Sequence, residues 1–135
     1  MKKLTFILIS AIMFATSCKT TAPVQSFSLG RGGGFTGKYD EYLVKSNGEV
    51  YNISNGQAPE LFFTLKKEQI TSIFKQFDQL NISSLNFSHP GNITSYLRTE
   101  KNSKTFEIKW GDFKNKPPKN VLDFFEFVWS SIRPK

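Results

Sequence analysis

Residues 32–39 read Gly-Gly-Gly-Phe-Thr-Gly-Lys-Tyr, and this is the stretch whose residue types and spacing come nearest to a known chemistry. Gly32 to Lys38 fit G-x-x-x-x-G-K, the pattern in which glycine amides cradle phosphates and a lysine meets their charge. That chemistry needs a Ser or Thr after the lysine to hold Mg²⁺, and Tyr39 stands there. It also needs a helix to follow, because the phosphates sit on a helix N-terminus. Here the next residues, Tyr39 to Lys45, are β-rich. No later apolar run ends in an Asp placed to serve the metal. The segment Arg31, Gly32, Gly33, Gly34, Phe35, Gly37 and Lys38 therefore reads as a flexible loop joining the first strand to the hairpin, or as a loop that a partner or ligand contacts. Five of the nine glycines fall between Gly30 and Gly37, more than one turn requires.

Gly32, Gly34 and Gly37 also fit G-x-G-x-x-G between two strand-like runs, a setting that resembles the glycine loop of protein kinases. Neither the HRD nor the DFG signature of that family occurs in the chain. Other candidates for chemistry are sparse. His89 is the sole histidine, in a Ser-His-Pro-Gly loop. Asp40-Glu41 and Asp112 show no paired-carboxylate spacing, and no G-x-S-x-G elbow exists. No clustered ligand set calls for a metal, and no motif calls for a cofactor. Four N-x-S/T sequons, at Asn52, Asn81, Asn86 and Asn92, reflect an Asn- and Ser-rich chain.

The elements that must carry these residues begin after a leader. Lys2 and Lys3 precede a short apolar run, Leu4 to Ala15, below the length of about 20 residues that a membrane span needs. Small residues and Cys18 follow, which is the layout of a secretory signal. Cys18 is the only cysteine, so it forms no internal disulfide. Ala15-Thr16-Ser17-Cys18 resembles the lipobox of bacterial lipoproteins, with Ala where Leu is commoner. The resemblance covers about the first 18 residues. It implies cleavage before Cys18, a diacylglycerol on its sulfur, and anchoring to the inner or outer membrane of a bacterial envelope. Lys19-Thr20-Thr21 carries no acid, which by the same resemblance favours the periplasmic side. The layout is then a signal peptide over 1–17, a lipidated cysteine and tether over 18–26, and one domain over 27–135.

The chain carries +7, and removing Lys2 and Lys3 leaves +5 on the mature part. The cations are scattered rather than striped. In an envelope protein this balance suits an acidic surface or an envelope protein as partner, and nucleic acid is excluded by compartment.

Within the domain, Ser26 to Leu29 alternates as a first strand, with the glycine loop after it. Tyr39–Lys45 and Glu49–Ile53 flank Ser46-Asn47-Gly48, a hairpin signal. Ser54–Pro59 reads as a loop. Thr64 caps a helix from Leu65 to about Leu80, whose apolar face is Ile70, Ile73, Phe74, Phe77 and Leu80. Asn81–Asn92 reads as a polar loop. Ile93–Glu100 and Lys104–Trp110 make a second hairpin. Pro117-Pro118 open a last helix with Val121, Phe124, Phe125, Val128, Trp129 and Ile132 on one stripe. Most of the 14 Phe residues fall on such faces and read as core.

The expected fold is α+β: a small antiparallel sheet, two hairpins plus an N-terminal strand, with two amphipathic helices on one face. The mature part loosely resembles the small lipoproteins of Bacteroidetes, in its lipobox, glycine-rich loop, Asn-Gly hairpin and closing helices. That resemblance implies no activity. The expected role is a non-enzymatic binding or interaction module. The alternatives are a small-ligand, phosphate or lipid binder using Gly30 to Lys38, and a small envelope hydrolase.

Overall fold

The computed structural model describes residues 23–133. The elements are β1 (Ser26–Gly33), β2 (Lys38–Lys45), β3 (Glu49–Asn52), β4 (Glu60–Thr64), α1 (Lys67–Leu80), β5 (Ser88–His89), β6 (Ile93–Lys101), β7 (Lys104–Trp110) and α2 (Lys119–Ile132). The fold is α+β, but the sheet is larger than the sequence suggests. It has seven strands in the order β4-β3-β2-β1-β6-β7-β5. Every neighbouring pair is antiparallel except β5 with β7.

Four differences from the sequence reading have physical causes. β1 does not stop at Leu29 but runs on through Gly33, because it is the central strand and both neighbours pair with it along that length. Glu60–Thr64 forms β4, held by β3 at the sheet edge. Helix α1 begins at Lys67 with Lys66 as its N-cap, not at Leu65 after a Thr64 cap. Leu65 is held elsewhere, its amide donating to Gly48 O in the β2–β3 turn (2.9 Å), while Gln69 Oε1 accepts from the Lys66 amide. The supposed polar loop 81–92 contains the buried Ile82 and the short strand β5.

Odd-numbered positions of β1 face the helices. Phe27 and Leu29 pair with Val44 and Tyr42 on β2, and Leu29 with Leu97 on β6. Leu97 in turn lies opposite Ile108. These residues form one core with Ile70, Ile73, Phe77 and Leu80 of α1 and the apolar stripe of α2. Phe27 is its joint: its ring stacks on Phe77 of α1 at 4.3 Å and meets Phe124 of α2 at 5.7 Å. Both helices thus cover one face of the sheet. The even-numbered positions Ser26, Ser28, Gly30 and Gly32 look out from the other.

Candidate functional site

The glycine segment divides between the two faces of the sheet. Gly32 and Gly33 close β1, and Gly34–Thr36 makes one 3-10 turn into β2. Gly34 and Gly37 have φ of 66° and 62°, a left-handed backbone that favours glycine. The turn is pinned, since the Gly34 amide donates to Asn92 O at 2.7 Å and the Gly37 amide to Gly34 O at 3.3 Å. Two of the amides a phosphate would need are therefore spent on protein carbonyls. Phe35 stands wholly exposed at the tip, and Lys38 beside it is exposed.

Arg31 does not join them. It is an odd-numbered position and turns to the helix side. There its Nε donates to Ser95 Oγ (3.0 Å), and its guanidinium lies 4.9 Å from the Phe125 ring and 5.3 Å from that of Trp129. It also pairs with Glu126 of α2. This side chain ties α2 to the sheet.

The open face holds a second constellation that the sequence reading did not assemble. The Tyr96 ring, on β6, lies across Gly30 of β1. Its hydroxyl donates to Glu41 Oε1 on β2 at 2.5 Å. Burial, and then the bond to Glu41, raise the Tyr96 phenol well above its ordinary range. Next along β6, the Arg98 guanidinium sits 4.8 Å from the Tyr96 ring. Glu107 on β7 accepts from Arg98 Nε (2.6 Å) and pairs with Lys109 Nζ (2.8 Å). Partial burial alone would raise Glu107, but the bonds from Lys109 and Arg98 overcome it and hold the carboxyl below its usual value. At Gly32 the close neighbour is instead the β2 backbone, since a Cβ there would stand 2.2 Å from Lys38 O and 2.5 Å from Tyr39 Cα, with the half-buried Tyr39 ring beyond.

Tyr39, Glu41, Pro90, Thr94, Tyr96, Arg98 and Lys109 line a cleft of about 250 Å³. A smaller one, about 150 Å³, continues along Ser26, Ser28 and Leu43. Aromatic ring, hydroxyls and mutually paired charges make this a surface suited to binding. The sequence signal for it is the alternation of β2, β6 and β7. That pattern names the outward residues but not which of them meet across β1.

The remaining sequence candidates lie apart from this face or outside the described residues. Asp40 pairs with Arg133 at 3.1 Å on the helix side. His89 is exposed and packs on Phe87, with ring centroids 4.8 Å apart. Asp112 is engaged with the Lys114 amide and the Asn115 side chain. Among the described residues no three His, Cys, Asp or Glu side chains gather as metal ligands would. None of the described helices is long and apolar enough to cross a membrane. Cys18 lies outside the described residues.

No family model matches the chain, and no curated protein matches it.

Proposed function

We propose that the chain is a membrane-anchored lipoprotein of the bacterial envelope, acylated at Cys18 and facing the periplasm, whose α+β domain is a non-enzymatic binding module. The run Ala15-Thr16-Ser17-Cys18 behind a short apolar segment supports the anchor. Two lipid-type signals hold a protein at a bilayer where a single acyl chain does so only marginally, and lipoprotein acylation supplies more than one chain. The direction of β1 supports the placement of the binding surface. The strand enters the domain at Ser26 and delivers the glycine turn at the pole away from the tether.

Phe35 carries the reading. Its ring is fully in water, on a turn fixed by the Gly34–Asn92 hydrogen bond, and it adds nothing to the core. An aromatic side chain held out on a rigid turn is the form a partner's anchor takes. A partner protein of the envelope, contacting Phe35, Lys38 and the adjoining open face, is the occupant this geometry suits.

Cys18→Ala tests the anchor: the protein should move from the membrane fraction to the soluble one and lose the mass of its acyl groups. Unchanged fractionation and mass would sink the lipoprotein reading. A second reading, a small anionic ligand such as phosphate or a lipid headgroup, is favoured by Arg98 and Lys109 beside the 250 Å³ cleft. Both cations already share the single carboxylate of Glu107, which ranks this reading second. Saturable thermal stabilisation by phosphate would raise it.

A further inference from the structure

Phe35 is not alone at its end of the sheet. Phe113, in the loop after β7, is 95% exposed. Its turn is pinned, as the Phe35 turn is. The Asp112 amide donates to His89 O at 3.2 Å, and the Asp112 carboxylate accepts from the Lys114 amide and from Asn115 Nδ2. Ile93, 50% exposed, stands between the two turns at the start of β6, which lies between β1 and β7. It pairs with Gly33, and a Cβ on Gly34 would lie 3.0 Å from Ile93 Cδ1. Toward β7, a Cβ on Gly111 would clash with Ile93 O. Single exposed apolar residues are ordinary on a protein surface. Three in succession across one end of a sheet, two of them aromatic and on fixed turns, none of them part of the core, form a patch. The cations beside them give it a charge. Lys38, Lys114 and Lys116 are exposed, and none of them is in an ion pair among the described residues. Asp112, the carboxylate next to Phe113, is turned into its own loop.

We propose that this end of the sheet is one continuous docking surface for an acidic protein. Phe35, Ile93 and Phe113 enter apolar recesses of that partner, and Lys38, Lys114 and Lys116 meet its carboxylates. The proposal rests on the reading of Phe35 as the anchor for an envelope protein, and adds to it a second anchor and the partner's charge. Apolar anchors inside a polar, charged rim are the usual anatomy of a protein contact. Turns already held by hydrogen bonds lose little freedom when a partner closes on them. An acidic bilayer would also attract lysines and exposed rings. Position favours the protein. β1 has the tether at one end and this surface at the other, eight residues away, or roughly 25 Å at the rise of an extended strand. A domain held through Cys18 therefore turns the surface away from its own membrane.

The test places a photoreactive residue at position 113 of the full-length protein in intact cells, in parallel with one at position 35. The envelope protein captured from position 35 should also be captured from position 113, and the partner peptide joined at 113 should carry Asp or Glu. Lys38→Glu, Lys114→Glu and Lys116→Glu together should lower both yields about tenfold, and Lys→Arg at the same three positions should preserve them. The three lysines are exposed, so the circular dichroism spectrum of the purified variant should match the parent's. Capture from position 35 alone would overturn this proposal and leave the reading of Phe35 standing. Different proteins from the two positions, or yields indifferent to the charge reversal, would overturn it as well. Phospholipid adducts at position 113 would overturn it in favour of a bilayer, and capture from neither position would overturn both readings.

Discussion

The Tyr96 ring occupies the space that a side chain at position 30 would need. A Cβ on Gly30 would stand 2.4 Å from Tyr96 Cε1. Through this one vacancy a residue of β6 crosses the central strand and reaches Glu41 on β2, tying three strands together on the face the helices leave open. The glycine at this position serves close approach rather than a turn.

Gly30→Ala should therefore cost about 1–3 kcal/mol, the range for overfilling a packed site. Denaturant unfolding should show the loss, and adding Tyr96→Ala should recover part of it, because the two changes share one clash. Strict additivity of the two would mean that Tyr96 does not lie over Gly30.

Tyr96 also predicts an alkaline limit. Its folded-state pKa is raised, so the native state holds this proton more tightly than the unfolded chain does. The associated stability is fully present below the unfolded value of about 10 and declines as pH rises past it. Tyr96→Phe should lower stability at neutral pH by about 1–2 kcal/mol through the lost bond to a carboxylate. The same variant should flatten the fall above about pH 10. Identical alkaline profiles for the two proteins would contradict the assigned environment.

Glu107 sets the opposite limit. Its carboxyl is held low by Lys109 and Arg98, so its contribution is present above the unfolded carboxylate value of about 4.3 and is lost as pH falls through the folded one. Glu107→Gln should show a shallower acid transition than the parent in thermal melts between neutral pH and about pH 3. Arg98 and Lys109, freed from their partner, should also become better anion sites.

The sequence and the structure agree most where periodicity speaks. Both helices show their apolar faces at 3.6-residue spacing, and each packs that face on the core. The β6–β7 hairpin turns at Asn102-Ser103, both with positive φ, close to where a turn is read in Lys101-Asn102-Ser103. The glycines were the obstacle. Gly30, Gly32 and Gly33 look like loop, yet they extend the central strand, because close approach and turn formation use the same residue. The open-face constellation was hidden for a related reason. Tyr96 and Glu41 are 55 residues apart and meet only when β2, β1 and β6 stand in register, which no local pattern encodes. β4 was missed because five residues at an edge carry too little alternation to separate them from the loop before and the helix after.

The central claim, that this domain is a binding module led by its glycine turn, is tested most directly by cross-linking in intact cells. A photoreactive residue would replace Phe35 in the lipidated protein, with a second version carrying it at Gln76 on α1 as control. The account predicts one dominant adduct with an envelope protein from position 35, absent from position 76. The same scattered adducts from both positions, or none from either, would contradict it.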